Sequence, residues 1–157
     1  MAKLAKLLMA NIVIVGIVGF AISIGVRLLA DGDVSQRDVL VDALTWLVGV
    51  NGLMTGSGHM FFGPRVAGSI GWAPSPFQWE VGLADVSYGV LGSMASSYHR
   101  GFWLATIVAF SVFMLGAAVG HVRQMIQTKD FAPGNAGLVF WCDIIIPVAL
   151  IVLYATL

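Results

Sequence analysis

Five long apolar stretches, separated by short polar connections, constrain the fold of this chain more than any other feature of its sequence. They cover about residues 4–29, 39–62, 77–98, 101–125 and 134–157. A helix needs roughly 20 mostly apolar residues to span the hydrocarbon core of a bilayer. In lipid the backbone must satisfy its own hydrogen bonds, which favours helices. The pattern predicts an all-α integral membrane helix bundle with five transmembrane helices in a single domain over residues 1–157.

The composition agrees with a chain that is surrounded by lipid. Charged residues make up 10% of the sequence and hydrophobic residues 59%, whereas a soluble domain carries about 25% charged residues. Membrane lipids are therefore the first expected partner. The formal net charge is zero, so the sequence lacks the basic surface that nucleic-acid binding requires. The one cysteine, Cys142, is interpreted as a small buried hydrophobic residue.

The third stretch is the least apolar of the five. It contains Glu80, Asp85, several glycines and four serines, and it would cross a membrane only as an inner helix whose polar groups are satisfied by its neighbours. The alternative is a bundle of four transmembrane helices, which would place the C-terminus on the other side of the membrane.

Lysine and arginine in short loops predict the orientation, because cytoplasmic loops carry an excess of both. One face would carry Lys3, Lys6, Arg65, Arg123 and Lys129, and the other Arg27, Arg37 and Arg100. This bias predicts a multi-pass protein of the plasma (inner) membrane with its N-terminus in the cytoplasm and its C-terminus outside.

Small residues recur at spacings of three and four and are predicted to form the helix contacts. Lipid provides no hydrophobic force between helices, so close backbone packing and hydrogen bonds must hold them together. The predicted packing positions are Gly49, Gly52 and Gly56 in the second stretch, Gly89 and Gly92 in the third, and Gly116 and Gly120 in the fourth.

Ionisable residues at membrane depth are costly and mark either a structural contact or a functional site. The candidates for one polar cluster within the membrane are His59, Glu80, Asp85, His121 and Asp143. Three interpretations stay open: a satisfied structural cluster, a metal site and a proton path. No catalytic residue, cofactor or metal ligand is assigned.

For two carboxylates, Asp85 and Asp42, the sequence predicts specific partners. Asp85 is expected to bond a polar side chain on a neighbouring helix, with Asn51 as one option. Asp42 is expected near the outer interface, where Arg37 or Arg100 could pair with it.

Several motifs together resemble a family of small prokaryotic multi-pass membrane proteins of unknown function. The motifs are Phe77-x-x-Glu80-x-Gly82-x-x-Asp85, Gly116-Ala-Ala-x-Gly120-His121, Gly134-Asn135-Ala136-Gly137, and Asp143 with Pro147. The resemblance covers the second to fifth stretches. It implies a compact four-helix core and no established activity.

In size and helix number the chain also resembles the small accessory subunits of mycobacterial Mce lipid transporters, of the lipid-uptake-coordinator type. That resemblance implies a non-catalytic accessory or regulatory subunit that docks in a larger membrane assembly, with other membrane protein subunits such as a transporter permease as partners. A membrane enzyme or a metal or proton site built on His59, Glu80, His121 and Asp143 is the alternative. A small oligomeric transporter or channel is a third. The absence of a catalytic motif favours a protein that is not an enzyme.

Overall fold

The computed structural model describes residues 12–157, so residues 4–11 of the first predicted helix lie outside the described part. Every regular element in the described part is helical, which confirms the all-α class. Five helices follow one another along the chain: α1 (Ile14–Asp31), α2 (Gln36–Ile70), α3 (Phe77–Ser93), α4 (Arg100–Thr128) and α5 (Pro133–Ala155).

Four of these helices are long and apolar enough to cross a membrane, namely α1, α2, α4 and α5. Helix α3 has 17 residues, about 25 Å at 1.5 Å per residue, and is not among them. The membrane character of the chain is therefore supported. The predicted crossing by five helices is not confirmed.

Helix α2 is longer than predicted, because it continues through Gly63-Pro64 to Ile70. Phe62 has non-helical angles (φ −130°, ψ 25°) and marks a kink. Pro64 lies in the first turn after that kink. Backbone N–H groups in the first turn of a helix have no partner within the helix, so a proline there costs no hydrogen bond. A second irregularity lies upstream, where Leu44–Val50 is π-helical. The segment between the two irregularities contributes Asn51, Thr55 and His59 to the cavity described below.

Helices α2 and α3 form an antiparallel hairpin in which glycines face glycines. The facing pairs are Gly49 with Gly92, Gly52 with Gly89, and Gly56 with Gly82. A Cβ atom on Gly52 would lie 2.6 Å from the carbonyl oxygen of Asp85, and one on Gly56 would lie 2.6 Å from that of Gly82. The backbones therefore approach more closely than any side chain would permit.

Helix α1 is joined to α2 by a salt bridge near their short connection. Arg27 donates from Nε to Oδ2 of Asp42 at 2.7 Å and from Nη2 to Oδ1 at 2.9 Å. Ser23 donates to the same carboxylate at 2.7 Å. Asp42 is buried, and its charged partner is Arg27, whereas Arg37 or Arg100 was predicted. The two-helix hairpin brings Arg27 to the depth of Asp42, and this supplies a charged partner.

The arginines that were expected to pair with Asp42 lie over aromatic rings instead. The guanidinium of Arg37 lies 5.7 Å from the ring centroid of Trp103, and that of Arg100 lies 5.3 Å from that of Tyr154. These cation–π contacts connect the start of α4 with the start of α2 and the end of α5. Helices α4 and α5 thus run antiparallel beside the α2–α3 hairpin.

Candidate functional site

A cavity of about 610 Å³ lies between the α2–α3 hairpin and the α4–α5 pair. Ligand pockets typically have volumes of about 300–1,000 Å³ and largely apolar walls. Apolar side chains form most of this wall, among them Val81, Phe110, Phe113, Met114 and Ile146. The cavity therefore has the size and lining of a small-molecule site.

Two residues that line the α2–α3 side of the cavity each have a buried polar atom that lacks a hydrogen-bond partner within the described residues. Asp85 is only 4% exposed, and its Oδ1 atom has no partner. Asn51 accepts a hydrogen bond from the backbone N–H of Gly16 at 3.1 Å, but its Nδ2 atom has none. The expected bond between Asp85 and Asn51 does not form. Buried polar groups without partners are rare and call for an explanation.

Two more polar residues of α2 line the same side of the cavity, at intervals of four residues from Asn51. Thr55 donates to the carbonyl oxygen of Asn51 at 2.9 Å. The Nδ1 atom of His59 lies 2.6 Å from Oε1 of Gln78, so His59 is bound to the start of α3. The spacing of four residues places these side chains on one face of α2, between the π-helical segment and the kink.

The α4–α5 side contains a histidine and a carboxylate in contact. The Nε2 atom of His121 lies 3.5 Å from Oδ2 of Asp143, and both residues are buried. A buried amide, that of Asn135, lies behind the histidine, with Nδ1 of His121 at 2.7 Å from its Oδ1. The indole ring of Trp72 packs on the imidazole, with ring centroids 5.4 Å apart.

The hydrogen bonds of Asn135 determine which nitrogen of His121 bears a proton. Trp72, whose indole can only donate, donates to Oδ1 of Asn135 at 3.0 Å. The Nδ2 atom of Asn135 donates to the carbonyl oxygen of Asp130 at 2.8 Å. Oδ1 is thus an acceptor, and the Nδ1 atom of His121 must donate to it. The Nε2 atom therefore faces Asp143. Both Nε2 and a carboxylate oxygen are acceptors without a proton between them, so their contact is favourable when one of the two carries a proton.

Four of the five predicted cluster residues line the cavity: His59, Asp85, His121 and Asp143. Glu80 does not, because it is exposed in the first turn of α3. Glu80 lies five positions before Asp85, so the two side chains point in directions that differ by roughly 140° around a helix of 3.6 residues per turn. The predicted cluster therefore forms without Glu80.

The prediction that Gly116 and Gly120 pack closely against another helix is wrong. Among residues 12–157, no atom lies within 4 Å of a Cβ atom placed on Gly116, and only the edge of Trp72, at 3.9 Å, approaches one on Gly120. Both glycines line the cavity. Their small size leaves room between α4 and the α2–α3 hairpin.

Sequence reasoning missed the residues that hold the two histidines, Gln78 and Asn135, as well as Thr55 and Trp72. Asn135 belongs to the Gly134-Asn135-Ala136-Gly137 motif, but the motif alone does not predict its contact with His121. A possible signal was the polar spacing Asn51, Thr55 and His59 within one apolar stretch. Among residues 12–157, no group of three or more His, Cys, Asp or Glu side chains is placed to hold a metal ion.

No curated protein and no solved structure shows a significant match to the chain, so nothing in these comparisons supports the resemblance to the Mce accessory subunits. The model of one protein family, described as a family of unknown function (DUF6790), matches residues 6–157. This match confirms the resemblance to a family of unknown function. Because it covers nearly the whole sequence, the chain belongs to the DUF6790 family.

Proposed function

We propose that this chain is a membrane-embedded binding protein for a small, largely apolar molecule that has one polar group. One observation carries the proposal: a cavity of about 610 Å³ with apolar walls is lined by Asp85 and Asn51, whose buried Oδ1 and Nδ2 atoms each lack a partner in the described residues. A ligand whose polar group bonds these atoms would remove the cost of burying them, about 1–3 kcal/mol for each.

The surroundings of the cavity support a ligand of mixed character. Aromatic side chains form one wall, where Tyr88 contacts Phe110 and Phe113 at ring centroid distances of 6.0 and 5.5 Å. Such walls bind apolar groups, and a few convergent polar atoms fix the orientation of the ligand. A bilayer concentrates apolar molecules around a site at this depth.

The test fills the cavity with a side chain. A leucine at Gly116 has room and lies in the cavity wall, whereas a leucine at Gly25 of α1 has equal room and lies elsewhere. Native mass spectrometry of protein extracted gently from its own membranes is expected to show a bound molecule of a few hundred daltons on the wild type. Gly25→Leu should retain that molecule and Gly116→Leu should lose it.

Two outcomes contradict the proposal. The wild type could arrive without any bound molecule, with Gly116→Leu more stable than Gly25→Leu. The cavity would then be a packing defect, which a larger side chain repairs. Alternatively, Gly116→Leu could retain the same molecule as the wild type, which would place its site elsewhere.

The role of an accessory subunit in a larger assembly stays a prediction. Helix α1 exposes apolar side chains such as Ile22, Val26 and Leu29. A partner subunit would require such a face, but so does contact with lipid. The binding cavity, which lipid contact alone does not require, favours the binding function.

We also propose that all five helices cross the plasma membrane, with the N-terminus in the cytoplasm. The antiparallel contact of α3 with α2 supports this topology, because α3 returns along the length of a helix that is itself a candidate span. Arg65, Arg123 and Lys129 then share one end of the bundle, and Arg27, Arg37 and Arg100 the other.

A further inference from the structure

The charges that line the cavity are not balanced within the described residues. Two carboxylates, Asp85 and Asp143, contribute to the wall, and no lysine or arginine among residues 12–157 does. The basic side chains that the described part of the chain places there are His59 and His121. A carboxylate that is buried without a cation or a proton is strongly disfavoured, so the pairing of each acid matters.

The histidines leave one acid without a partner. His121 faces Asp143 through Nε2 at 3.5 Å and holds Asn135 through Nδ1. His59 is bound through Nδ1 to Gln78 at 2.6 Å, and no ion pair joins it to either acid within the described residues. The Oδ1 atom of Asp85 has no partner in the described residues, and only 4% of the residue is exposed. Asp85 is therefore the acid that a positively charged ligand would complement.

The wall beside Asp85 suits an organic cation. Tyr88 follows Asp85 by three residues on α3, which places both on the same face of the helix, and both line the cavity. Phe110 and Phe113 of α4 contact Tyr88. Aromatic faces attract quaternary ammonium groups within about 6 Å of the ring centroid. One carboxylate beside three aromatic rings thus combines a charge partner with an apolar surface.

We infer that the ligand of this cavity is a lipophilic organic ammonium ion, whose positive nitrogen lies against the carboxylate of Asp85 and the rings of Tyr88, Phe110 and Phe113. This inference rests on the proposed binding function and specifies its ligand class. The apolar part of the ligand would contact the remaining wall, for which Met114 and Ile146 are available. A hard metal ion would find too few oxygen ligands in such a wall.

The test compares two probes that differ only in charge. Benzyltrimethylammonium is a cation, and neopentylbenzene is its neutral analogue, in which carbon replaces nitrogen. Affinities are measured by thermal unfolding of the full chain in a neutral maltoside detergent, corrected for partition of each probe into micelles. The wild type is expected to bind the cation about tenfold more tightly, the size expected for one ion pair with aromatic contacts out of water. Asp85→Asn should bind both probes alike.

The neutral probe reports whether the cavity is intact in each variant. Asp33→Asn is the control, because that exposed carboxylate lies in the connection between α1 and α2 and does not line the cavity, and it should keep the preference for the cation. If the wild type binds the neutral probe as tightly as the cation, or Asp85→Asn keeps the preference, the ligand class is wrong while the binding function stands. If neither probe binds to the wild type, the inference and the proposed function fail together.

Discussion

The Nε2 atom of His121 and the Oδ2 atom of Asp143 lie 3.5 Å apart, with only 7% and 10% of the side chains exposed. This contact ties α4 to α5 beside the cavity. Behind it, Asn135 accepts from both His121 and Trp72 and is itself fully buried. One amide therefore positions the histidine, the indole and the loop between the two helices.

Replacing Asn135 with alanine should destabilise the fold by about 3 kcal/mol, because two buried donors, from Trp72 and His121, would lose their acceptor. The free energy of unfolding in mixed micelles measures this effect. Gln127→Ala, at an exposed position of α4, is the control and should change stability by less than about 0.5 kcal/mol. Equal losses in the two variants would show that the amide network does not stabilise the loop.

The close glycine contact between α2 and α3 predicts that a larger side chain there destabilises the fold. Gly52→Ala places a Cβ atom 2.6 Å from the carbonyl oxygen of Asp85, so the two helices must separate. A loss of about 1–3 kcal/mol is expected for such overpacking. Gly25→Ala, where no atom of the described residues lies within 4 Å, should be neutral or stabilising. If Gly52→Ala unfolds at the same temperature as Gly25→Ala, the helices do not touch there.

The Arg27–Asp42 salt bridge can be tested by removing one partner or both. Arg27→Met leaves the buried carboxylate of Asp42 without its cation and should cost about 2 kcal/mol, a value reduced from that of a fully buried pair because Arg27 is 35% exposed. Adding Asp42→Leu should recover most of that loss, since no unpaired charge remains. A double variant that is less stable than Arg27→Met would contradict this account.

Whether α3 crosses the membrane can be read from two positions that flank it. In a Cys142→Ser background, which removes the one cysteine of the sequence, cysteines replace Ser75 before α3 and Ser97 after it. The five-crossing topology predicts that a membrane-impermeant thiol reagent labels Ser97→Cys from outside intact cells, and Ser75→Cys only after the cells are opened. Labelling of both from the same side would leave four crossings.

The sequence was sufficient for the helix contacts that depend on spacing alone. The stripe Gly49, Gly52 and Gly56 could be read as a packing face because small residues in membrane helices have few other uses. The same rule failed at Gly116, where the small residue widens a cavity. Spacing cannot tell whether a partner helix lies opposite, so that distinction required the three-dimensional arrangement.

The polar site was predicted in part for a similar reason. Membrane depth predicts a cluster of five residues but does not say which side of its helix each residue occupies, so the predicted cluster included Glu80, which is exposed. The pairing of Arg27 with Asp42 was missed because each residue was weighed against loop charges. Comparing their distances from the short α1–α2 connection would have suggested it.

Ligand-dependent stability is the most direct test of whether the cavity binds a ligand. A molecule that binds only the folded state raises the unfolding temperature. Wild-type protein depleted of bound molecules by extended detergent washing should regain several degrees when the small-molecule fraction of its own membranes is returned, whereas Gly116→Leu should regain almost none. An equal rise for both proteins, or no rise for the wild type, would contradict the claim that this cavity is a binding site.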